Sequence, residues 1–368
     1  MKTMIQNRVQ ALPVLITGVA GFIGFQLARR LLAMGYRVVG IDNLNNYYDV
    51  NLKLSRLGLL SDFDRFSFRR MDIAVPESVE GLFLRQRYSA VLHMAAQAGV
   101  RYSIENPQAF IQSNVQGFLN VLEGCRKGSV RHLVYASSSS VYGSDRPTPF
   151  SVHHRADHPA SLYAATKKSD ELMAHAYASL YGIPCTGVRL FTVYGPWGRP
   201  DMAVFSFTKS ILEGRPIELY NHGRMRRDFT YIDDIVNMIL RVMDRVPVGN
   251  ALRDKGNPDA AFSSAPCRIY NLGHGQPVSL MELIAMLERL LGKKAAVNLV
   301  PPQPADALET CADMKDTEED IGPLPRTSLD DGVRQFVDWY RWYHESSDPV
   351  PILPPPLPAE TLTTGISV

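Results

Sequence analysis

The sequence contains few cysteines, little net charge and no long apolar segment. Its 4 cysteines are scattered through 368 residues without a Cys-x-x-Cys pair, so we expect reduced thiols and neither a disulfide framework nor a metal site. The formal net charge of +2 provides no electrostatic basis for binding nucleic acid or a membrane surface. No apolar run approaches the ~20 residues of a membrane-spanning helix, and residues 1–10 lack the apolar core of a signal peptide. These absences predict a cytoplasmic globular protein without a metal ion, a nucleic-acid partner or a membrane anchor.

A glycine-rich turn joins the first apolar strand to a helix. Residues 14–17 predict the strand, residues 25–34 predict the helix, and glycines occupy the first, fourth and seventh positions of the segment that starts at residue 18. Glycines at this spacing allow a tight turn, close approach of the backbone to a pyrophosphate and close packing of the helix on the strand. Free N–H groups at the helix N-terminus favour phosphate oxygens. The residues of this turn that we expect to contact a dinucleotide are Gly18, Gly21, Phe22, Ile23 and Gly24.

An acidic residue, Asp42, follows the second predicted strand. It lies 42 − 18 = 24 residues beyond the first glycine, close to the separation of about 20 at which a carboxylate binds the adenosine ribose hydroxyls. A carboxylate at this place repels a 2′-phosphate, so the sequence favours NAD over NADP. The alternative is an ordinary aspartate at the end of a strand.

Further strand ends extend the predicted cofactor site. The third strand leads to a polar and an apolar residue placed to meet adenine, and the fourth ends in small residues that let the backbone pack under the dinucleotide. The long helix that follows carries one polar residue on an otherwise apolar stretch. The residues that we expect to complete the NAD site are Asn43, Asp72, Ile73, Ala95, Ala96, Gln97 and Asn114.

The segment Ser161–Lys168 (SLYAATKK) carries the strongest catalytic signal. Tyr163 and Lys167 are four residues apart, so on a helix they lie one turn apart on the same face. An ammonium beside a phenol stabilises the phenolate, which makes Tyr163 a candidate general base for a sugar or alcohol hydroxyl. The alternative is a chance pair on an amphipathic helix.

Four consecutive serines, residues 137–140, follow an apolar strand. In a parallel sheet, ligands bind at the carboxyl ends of the strands, where these hydroxyls are expected to lie. A hydroxyl there can orient a substrate hydroxyl or ketone, and the alternative is a plain polar turn. Arg101 follows another strand end on the same side and is expected to meet an anionic substrate.

The alternation of strands and helices predicts an α/β fold built on a doubly wound parallel (Rossmann) sheet, with a smaller C-terminal α/β substrate domain. Prolines and glycines after residue 195 end the alternation and suggest a boundary there. Residues 346–368 are rich in proline, which predicts a disordered tail. The predicted division is an NAD domain at 12–195 joined by 229–275, and a nucleotide-sugar domain at 196–228 and 276–345.

Three arginines, residues 224, 226 and 227, precede a predicted helix. Planar guanidinium groups suit diphosphate oxygens, although a solvated basic turn is the alternative. We expect the pair Asp233 and Asp234 to cap the helix that follows.

Together these motifs resemble the extended short-chain dehydrogenase/reductase superfamily. Within it, residues 12–345 are similar to UDP-glucuronate 4-epimerases, and the most particular matching stretches are 42–49 (DNLNNYYD) and 191–202 (FTVYGPWGRPDM). The resemblance implies tightly bound NAD, a UDP-uronic acid substrate and the interconversion of UDP-glucuronate and UDP-galacturonate through a transient 4-keto sugar, in polysaccharide biosynthesis. It also implies a homodimer formed through the helices near 106–125 and 161–181.

The resemblance implies a role for each matching residue. Tyr163 is the acid–base group, Lys167 holds the nicotinamide ribose and tunes Tyr163, and Ser138 binds the reacting oxygen. The expected substrate contacts are Arg101, Ser138, Ser139, Ser140, Thr192, Arg199, Arg227 and Asp306.

Related chemistries are the main alternatives. Nucleotide-sugar decarboxylases and dehydratases carry an acidic residue in the loop after the catalytic serine or threonine, whereas residues 138–141 (SSSV) contain none. That difference disfavours elimination. An epimerase of the UDP-glucose type, a net dehydrogenase, and a non-catalytic NAD-sensing protein on the same fold are the remaining alternatives.

Overall fold

The computed structural model describes residues 12–144, 146–249, 259–261, 263–303, 306–323 and 326–345. The predicted disordered tail at 346–368 lies outside these residues.

The largest sheet has 7 parallel strands in the order β10-β6-β5-β4-β1-β2-β3. Its strands are β1 (Val14–Thr17), β2 (Val38–Asp42), β3 (Phe66–Arg70), β4 (Ala90–His93), β5 (Leu133–Ser138), β6 (Cys185–Leu190) and β10 (Cys267–Leu272). The order reverses between β1 and β4, which is the switch point where doubly wound sheets bind ligands. The predicted fold class is confirmed.

Helices cover both faces of this sheet because successive strand residues point to opposite sides. Along β1, Ile16 belongs to one buried apolar cluster and Leu15 to the other. On the Ile16 side lie α1 (Phe22–Ala33), α2 (Val50–Ser61) and α9 (Ile232–Asp244). On the Leu15 side lie α3 (Pro76–Arg85), α6 (Gly117–Gly128) and α7 (Leu162–Tyr181). The core is therefore split into two layers by a sheet that is buried on both sides.

Helix α6 continues an irregular stretch of helix. Short helices α4 (Tyr102–Glu105) and α5 (Pro107–Phe110) come first, and a π-helical turn at Ile111–Gln116 joins α5 to α6. Among the described residues, every helix is too short or too polar to span a lipid bilayer.

The smaller part of the molecule contains two small sheets. One has the order β11-β9-β7 and the other pairs β12 with β8. Its elements are β7 (Thr192–Tyr194), α8 (Ala203–Glu213), β8 (Ile217–Leu219), β9 (Arg226–Tyr231), β11 (Pro277–Ser279), α10 (Leu280–Leu291), β12 (Val297–Leu299) and α12 (Leu329–Glu345). Helix α11 (Lys315–Ile321) packs against β10 and α9 of the larger part. Aromatic rings of α12 pack on the turn after β7, where the Trp339 and Trp197 ring centroids are 5.3 Å apart.

The chain leaves the large sheet after β6 and returns to it with β10. Residues between them build β7, α8, β8 and β9, and α9 then packs back on the large sheet. β10 pairs in parallel with β6 along its whole length, with Cys267 opposite Cys185 and Leu272 opposite Leu190. The division into two domains stays a prediction. In that prediction the domain borders lie near the points where the chain leaves the large sheet and returns to it.

Two local predictions were wrong. Helix α1 begins at Phe22, inside the glycine-rich turn, and not at residue 25. Asp233 and Asp234 lie within the first turn of α9, whose N-cap is Tyr231 without a side-chain cap. Asp234 instead accepts hydrogen bonds from the backbone N–H of Thr327, at 2.8 Å, and from its hydroxyl, at 3.1 Å. A tertiary partner therefore outcompetes the local capping geometry.

Candidate active site

A cleft of about 800 Å³ opens at the carboxyl ends of the large sheet and extends to the small sheets. Its volume suits a nucleotide-sized ligand. All but one of the predicted site residues line it. Those residues are Gly18, Gly21, Phe22, Ile23, Gly24, Asp42, Asn43, Asp72, Ile73, Ala95, Ala96, Gln97, Arg101, Ser138, Ser139, Ser140, Tyr163, Lys167, Thr192, Arg199, Arg227 and Asp306.

The glycine-rich turn lies directly against the end of β4. Gly18 has φ +70°, and a Cβ placed on it would lie 2.7 Å from the Cα and N of Ala95. A Cβ on Gly21 would lie 3.0 Å from the Gly18 carbonyl oxygen. Only glycine fits these positions without moving the backbone, which leaves the N-terminus of α1 open toward the cleft. This cradle fits a pyrophosphate.

Polar groups at the ends of β2 and β3 form one connected edge of the cleft. The carboxylate of Asp42 accepts hydrogen bonds from the backbone N–H groups of Leu44, at 2.8 Å, and Ala20, at 3.2 Å. Burial raises the pKa of Asp42, against the opposing effect of these hydrogen bonds. Asn43 donates to Asp72 at 3.0 Å. A carboxylate has about four acceptor sites, so Asp42 can accept from ribose hydroxyls as well.

Asn114 is the predicted site residue that does not line the cleft. Its Oδ1 accepts from the backbone N–H of Gln97 at 2.8 Å, and its Nδ2 donates to the Gln97 carbonyl at 3.0 Å and to the Thr166 hydroxyl at 2.9 Å. The side chain thus fixes the loop after β4 to α7 from behind. Its place in the structure favours support of Gln97 over direct contact with a cofactor.

Helix α7 presents Tyr163 and Lys167 to the cleft. Ser161 is its N-cap and accepts from the backbone N–H of Ala164 at 3.1 Å, so the helix begins just before the tyrosine. The Tyr163 ring packs edge-on against Phe110, with centroids 6.0 Å apart. The Lys167 ammonium donates to Asp170 at 2.8 Å.

The four serines have different partners. Ser137 borders the cleft but is buried, and its hydroxyl is occupied in donating to the Glu171 carboxylate at 2.8 Å. Ser138 accepts from the backbone N–H of Ser140 at 3.2 Å and contacts the Ser140 hydroxyl at 3.1 Å. Ser138, Ser139 and Ser140 line the cleft, so one serine supports the strand end while the next three can meet a substrate.

A buried ion pair holds the serine strand to α7. Glu171 accepts two hydrogen bonds of 2.8 Å from Arg189, which lies opposite Ser137 on the neighbouring strand β6. Burial alone would raise the pKa of Glu171, but Arg189, Lys168 and Ser137 lower it to about 2. Glu171 is therefore ionised, and its bonds fix Ser138 relative to Tyr163 on the same helix.

Arg199 lies in the cleft in a two-point ion pair with Asp201. The Nε–Oδ1 and Nη2–Oδ2 distances are 3.0 and 2.5 Å, and the Tyr47 hydroxyl donates to the same carboxylate at 3.1 Å. Burial alone would lower the pKa of Arg199, but Asp201 raises it. Tyr163 is close enough to raise it further. The guanidinium is thus a permanent positive charge near the tyrosine.

A second set of charges lies at the far end of the cleft. Arg101 donates to Asp306 at 2.9 Å, and its guanidinium carbon lies 3.9 Å from the ring centroid of Tyr220. Arg227 is held by the carbonyl oxygens of Arg226, at 2.9 Å, and Leu308, at 3.3 Å. Burial lowers the pKa of Arg227, with Asp306 opposing this effect. These groups form an electropositive region of a size suited to a diphosphate.

Several cleft residues were missed by the sequence reasoning. Tyr47 and Asp201 lie in the two stretches that carry the family resemblance, which was the available signal. Lys53 lines the cleft, and its Nζ donates to the Asn45 carbonyl at 2.6 Å, although nothing in its helix pattern marks it. Tyr220 has no signal in the sequence. Across the described residues, no group of His, Cys, Asp and Glu side chains is arranged to hold a metal ion.

A comparison with protein families accounts for this arrangement. Residues 14–253 match the model of the NAD dependent epimerase/dehydratase family. The chain belongs to this family. The match runs from β1 through α9, and so includes the glycine-rich turn, Asp42 and the Tyr163–Lys167 pair.

Individual relatives share almost the whole fold. Protein CapI of Staphylococcus aureus is 49% identical, over 90% of this chain and 99% of its own. UDP-glucuronate 4-epimerase 2 of Arabidopsis thaliana is 44% identical, over 90% of this chain and 76% of its own. The crystal structure of UDP-glucuronic acid 4-epimerase from Bacillus cereus with UDP-glucuronic acid and NAD is 32% identical with a TM-score of 0.79, covering 90% of this chain and 100% of that chain.

Membership of an NAD-dependent family agrees with the geometry of the cleft. The cradle at Gly18 follows β1 and the carboxylate of Asp42 follows the neighbouring strand β2, so the phosphate and ribose sites of an extended dinucleotide lie side by side next to the switch point. The residues present therefore fit NAD.

Proposed function

We propose that this protein is an NAD-dependent 4-epimerase that interconverts UDP-glucuronate and UDP-galacturonate. The observation that carries the proposal is that Tyr163, Ser138 and Arg199 line one cleft with the dinucleotide cradle. A general base, a hydroxyl for the reacting oxygen and a cation for a carboxylate are the groups that oxidation and reduction at C4 of a uronic acid require.

The chain supplies the proton chemistry and the geometry. The Gly18 turn, Asp42, the Gln97 loop and Lys167 would hold NAD+, which would supply the acceptor and donor of the C4 hydride. Tyr163 takes the proton of the C4 hydroxyl and gives a proton back when the 4-keto sugar is reduced on its other face. Ser138 donates a hydrogen bond to the reacting oxygen. The net redox change is zero, so the dinucleotide need not leave.

Charged groups orient the sugar and its carrier. Arg199 is placed to share its guanidinium between Asp201 and the uronate carboxylate, with Thr192 at the same wall. Arg227 and Arg101 are placed for the diphosphate, and Asp306 for the uridine end. Holding the carboxylate fixed matters because a 4-keto uronic acid is a β-keto acid that loses CO2 when the bond to the carboxylate aligns with the ketone.

A decarboxylase or dehydratase is the second candidate, because the family includes dehydratases. The loop after Ser138 forms a short 3-10 helix, Ser139–Tyr142, without an acidic residue. Two acids of the cleft, Asp201 and Asp306, are paired with Arg199 and Arg101. Within the described residues, the loop after Ser138 therefore offers no carboxylic acid for elimination.

The purified full chain tests this function when it is incubated with UDP-glucuronate and no added NAD. We expect proton NMR to show UDP-galacturonate, with the signals of an inverted C4, until a mixture of both sugars is reached. UDP-xylose with released CO2 as the main product would establish decarboxylation instead. Steady accumulation of NADH when NAD+ is added would establish a net dehydrogenase.

The proposal includes a homodimer. Helix α7 and the π-helical turn expose large apolar side chains, of which Leu180 is 72%, Leu172 61% and Ile111 43% exposed. Apolar groups of this size on neighbouring helices suit packing against a second copy. Light scattering is expected to give twice the chain mass for the wild type and one chain mass for Leu180→Lys. A monomeric wild type would contradict this part of the proposal.

The proposal also includes a cytoplasmic location and a role in supplying UDP-galacturonate for polysaccharide synthesis. Support for the location comes from the cysteines, since Cys125, Cys185 and Cys267 are buried free thiols, which suits a reducing compartment. Cell fractionation tests it, and recovery of the protein outside the cytoplasm would contradict it.

A further inference from the structure

The catalytic lysine of the proposed mechanism has a buried acidic partner. Nζ of Lys167 lies 2.8 Å from Oδ2 of Asp170, and the side chains are only 2% and 1% exposed. The second oxygen, Oδ1 of Asp170, is buried and has no hydrogen-bond partner among the described residues. A buried carboxylate with one unsatisfied oxygen costs stability.

The next residue, Glu171, also has a buried carboxylate, but both of its oxygens accept hydrogen bonds. Glu171 accepts hydrogen bonds from Ser137, Lys168 and both ends of the Arg189 fork. Among the described residues, the Asp170 carboxylate accepts a side-chain hydrogen bond only from Lys167. Replacing Asp170 alone would leave the buried ammonium of Lys167 without its counter-charge, which costs more than keeping the pair. Its charge therefore calls for an explanation in terms of Lys167.

Asp170 changes the electric field that Lys167 exerts. A lone ammonium stabilises a nearby phenolate, whereas an ammonium and a carboxylate 2.8 Å apart act on a third group as a dipole, whose effect is smaller. Tyr163 lies one turn before Lys167 on the same helix face. An ionised Asp170 therefore weakens the stabilisation of the Tyr163 phenolate by Lys167.

Epimerisation gives a reason to limit this stabilisation. The same phenol must accept a proton while the sugar is oxidised and return one while the 4-keto sugar is reduced. A group that works as base and acid in one turnover is most efficient when both of its forms are accessible at the working pH. A phenolate stabilised by an unopposed ammonium would be a weak acid catalyst in the second half of the reaction.

We propose that Asp170 is a positioning residue that limits the positive charge Lys167 presents to Tyr163, and so keeps both the phenolate and the phenol available during turnover. The role assigned to Tyr163 rests on the function proposed above. The electrostatic coupling between Asp170, Lys167 and Tyr163 does not depend on the identity of the sugar.

The other titratable groups around the pair keep a constant charge near neutral pH. On β4, burial first and Lys167 second lower the pKa of His93 to about 3. On β5, burial raises the pKa of Tyr135 well above its usual value. Glu171 on the same helix is ionised by its pairing with Arg189, and Arg199 across the cleft is a fixed cation.

Asp170 is the group near Lys167 that changes charge in the working range. Burial raises the pKa of Asp170 to about 6, with Lys167 opposing the shift. As the pH falls through that value, Asp170 becomes neutral and Lys167 acts on Tyr163 unopposed.

The variant Asp170→Asn tests the inference, since it removes the charge and keeps the shape. The phenolate of Tyr163 is followed by ultraviolet difference absorbance, as the protein minus the same protein carrying Tyr163→Phe. We expect the phenolate fraction at fixed pH to rise and the acid limb of kcat/KM to move about one pH unit lower. Asp330→Asn, which removes a carboxylate from exposed pairs with Arg334, at 3.0 Å, and with Arg289, is the control far from the cleft and should change neither.

Other outcomes overturn the inference. A lower rate at every pH, with the acid limb and the absorbance curve unmoved, would mean that Asp170 serves only the fold. If Asp170→Asn does not fold, Asp170→Ser provides the same comparison, and the wild type alone provides another. Its Tyr163-dependent absorbance should titrate over a broader range than one site, extended toward acid, and a single-site curve would contradict the proposal. The absorbance needs no turnover, so it remains informative even if the epimerase function fails its own test.

Discussion

The two halves of the cleft are prepared for their ligands in different ways. On the dinucleotide side, backbone geometry sets the shape, because Gly18 and Ala95 leave no room for a side chain between them. On the side that we propose for the sugar, charged side chains dominate, and Arg199 and Arg101 are already paired with carboxylates of the protein. A dinucleotide thus meets a fixed cradle, whereas a nucleotide sugar must share or replace existing ion pairs. We expect affinity to depend on steric fit on one side and on charge on the other.

The largest effect is expected where both halves meet, at Tyr163. Removing its hydroxyl in Tyr163→Phe should lower kcat by about a thousandfold, within the range for loss of a general acid–base group, while bound NAD is retained. Product formation by NMR and the absorbance of the bound dinucleotide provide the two measurements. Tyr343→Phe, which removes a hydroxyl 3.2 Å from Ser55 away from the cleft, serves as the control. Unchanged turnover in Tyr163→Phe would disprove its catalytic role.

Gly18→Ala probes the steric side of the comparison. The new Cβ must enter a left-handed backbone conformation and meet the backbone of Ala95, so we expect NAD binding to weaken by about 3 kcal/mol, or about a hundredfold. Calorimetric titration with NAD+ measures the change. Gly214→Ala is a close control, because Gly214 has the same φ of +70° with no atom within 4 Å of the added Cβ. Equal effects of the two substitutions would show that strain alone, and not the cradle, is responsible.

Glu171→Gln tests the support behind the junction of the two halves. The folded-state pKa of about 2 lies below the usual glutamate value of 4.5, so the ionised carboxylate contributes stability above pH 4.5 that is lost as the pH falls toward 2. We expect the variant to lose about 3 kcal/mol of unfolding free energy at pH 7 and to show a flatter acid dependence. Denaturant unfolding measures both. Glu80→Gln breaks the exposed pair with Lys127 and should change stability by less than about 1 kcal/mol.

Arg199→Gln probes the charge side. The loss of a charge-assisted contact to the uronate should cost about 2 kcal/mol, or about thirtyfold in kcat/KM for UDP-glucuronate. Inhibition by the competitor UDP-glucose, which has no carboxylate, should be almost unchanged in the variant. The two sugars therefore separate the contribution of charge to binding from that of shape. An equal loss for both sugars would mean that Arg199 supports the loop and does not bind the carboxylate.

The smallest effect is expected for Asp306→Asn. The pair with Arg101 is partly exposed, with side-chain exposures of 19% and 48%, and such pairs contribute less than about 1 kcal/mol. We expect KM to change by about threefold at most, with the difference shrinking at high salt. A tenfold or larger change that persists at high salt would show a direct contact between Asp306 and the ligand.

The parts of the fold predicted from the sequence are those set by local chemistry. The turn at Gly18, the strand ending at Asp42 and the spacing of Tyr163 and Lys167 each lie within one short segment. These segments are expected to lie close together because the carboxyl ends of parallel strands meet at one edge of the sheet. The Rossmann-type sheet and the NAD-dependent epimerase family were therefore accessible before any coordinates.

The rest depends on partners that are distant in the sequence. Arg189 interrupts an apolar strand, which signals a buried partner, but nothing local identifies that partner as Glu171. Asp170 looks like an ordinary helical acid until its burial against Lys167 is known. Asn114 was expected to contact the cofactor, whereas its side-chain amide hydrogen-bonds to the backbone N–H and carbonyl of Gln97. Residues far apart in the chain decide these roles, so a pattern within one segment cannot reveal them.

The late return of β10 to the large sheet has a consequence for biosynthesis. β6 ends at Leu190 and its outer neighbour begins only at Cys267, so a nascent chain exposes an unpaired edge of β6 while the intervening segment is being translated. Such edges are templates for intermolecular pairing. Polypeptides truncated between β6 and β10 should therefore aggregate during expression. Nascent chains should bind chaperones less once the segment through Leu272 has left the ribosome.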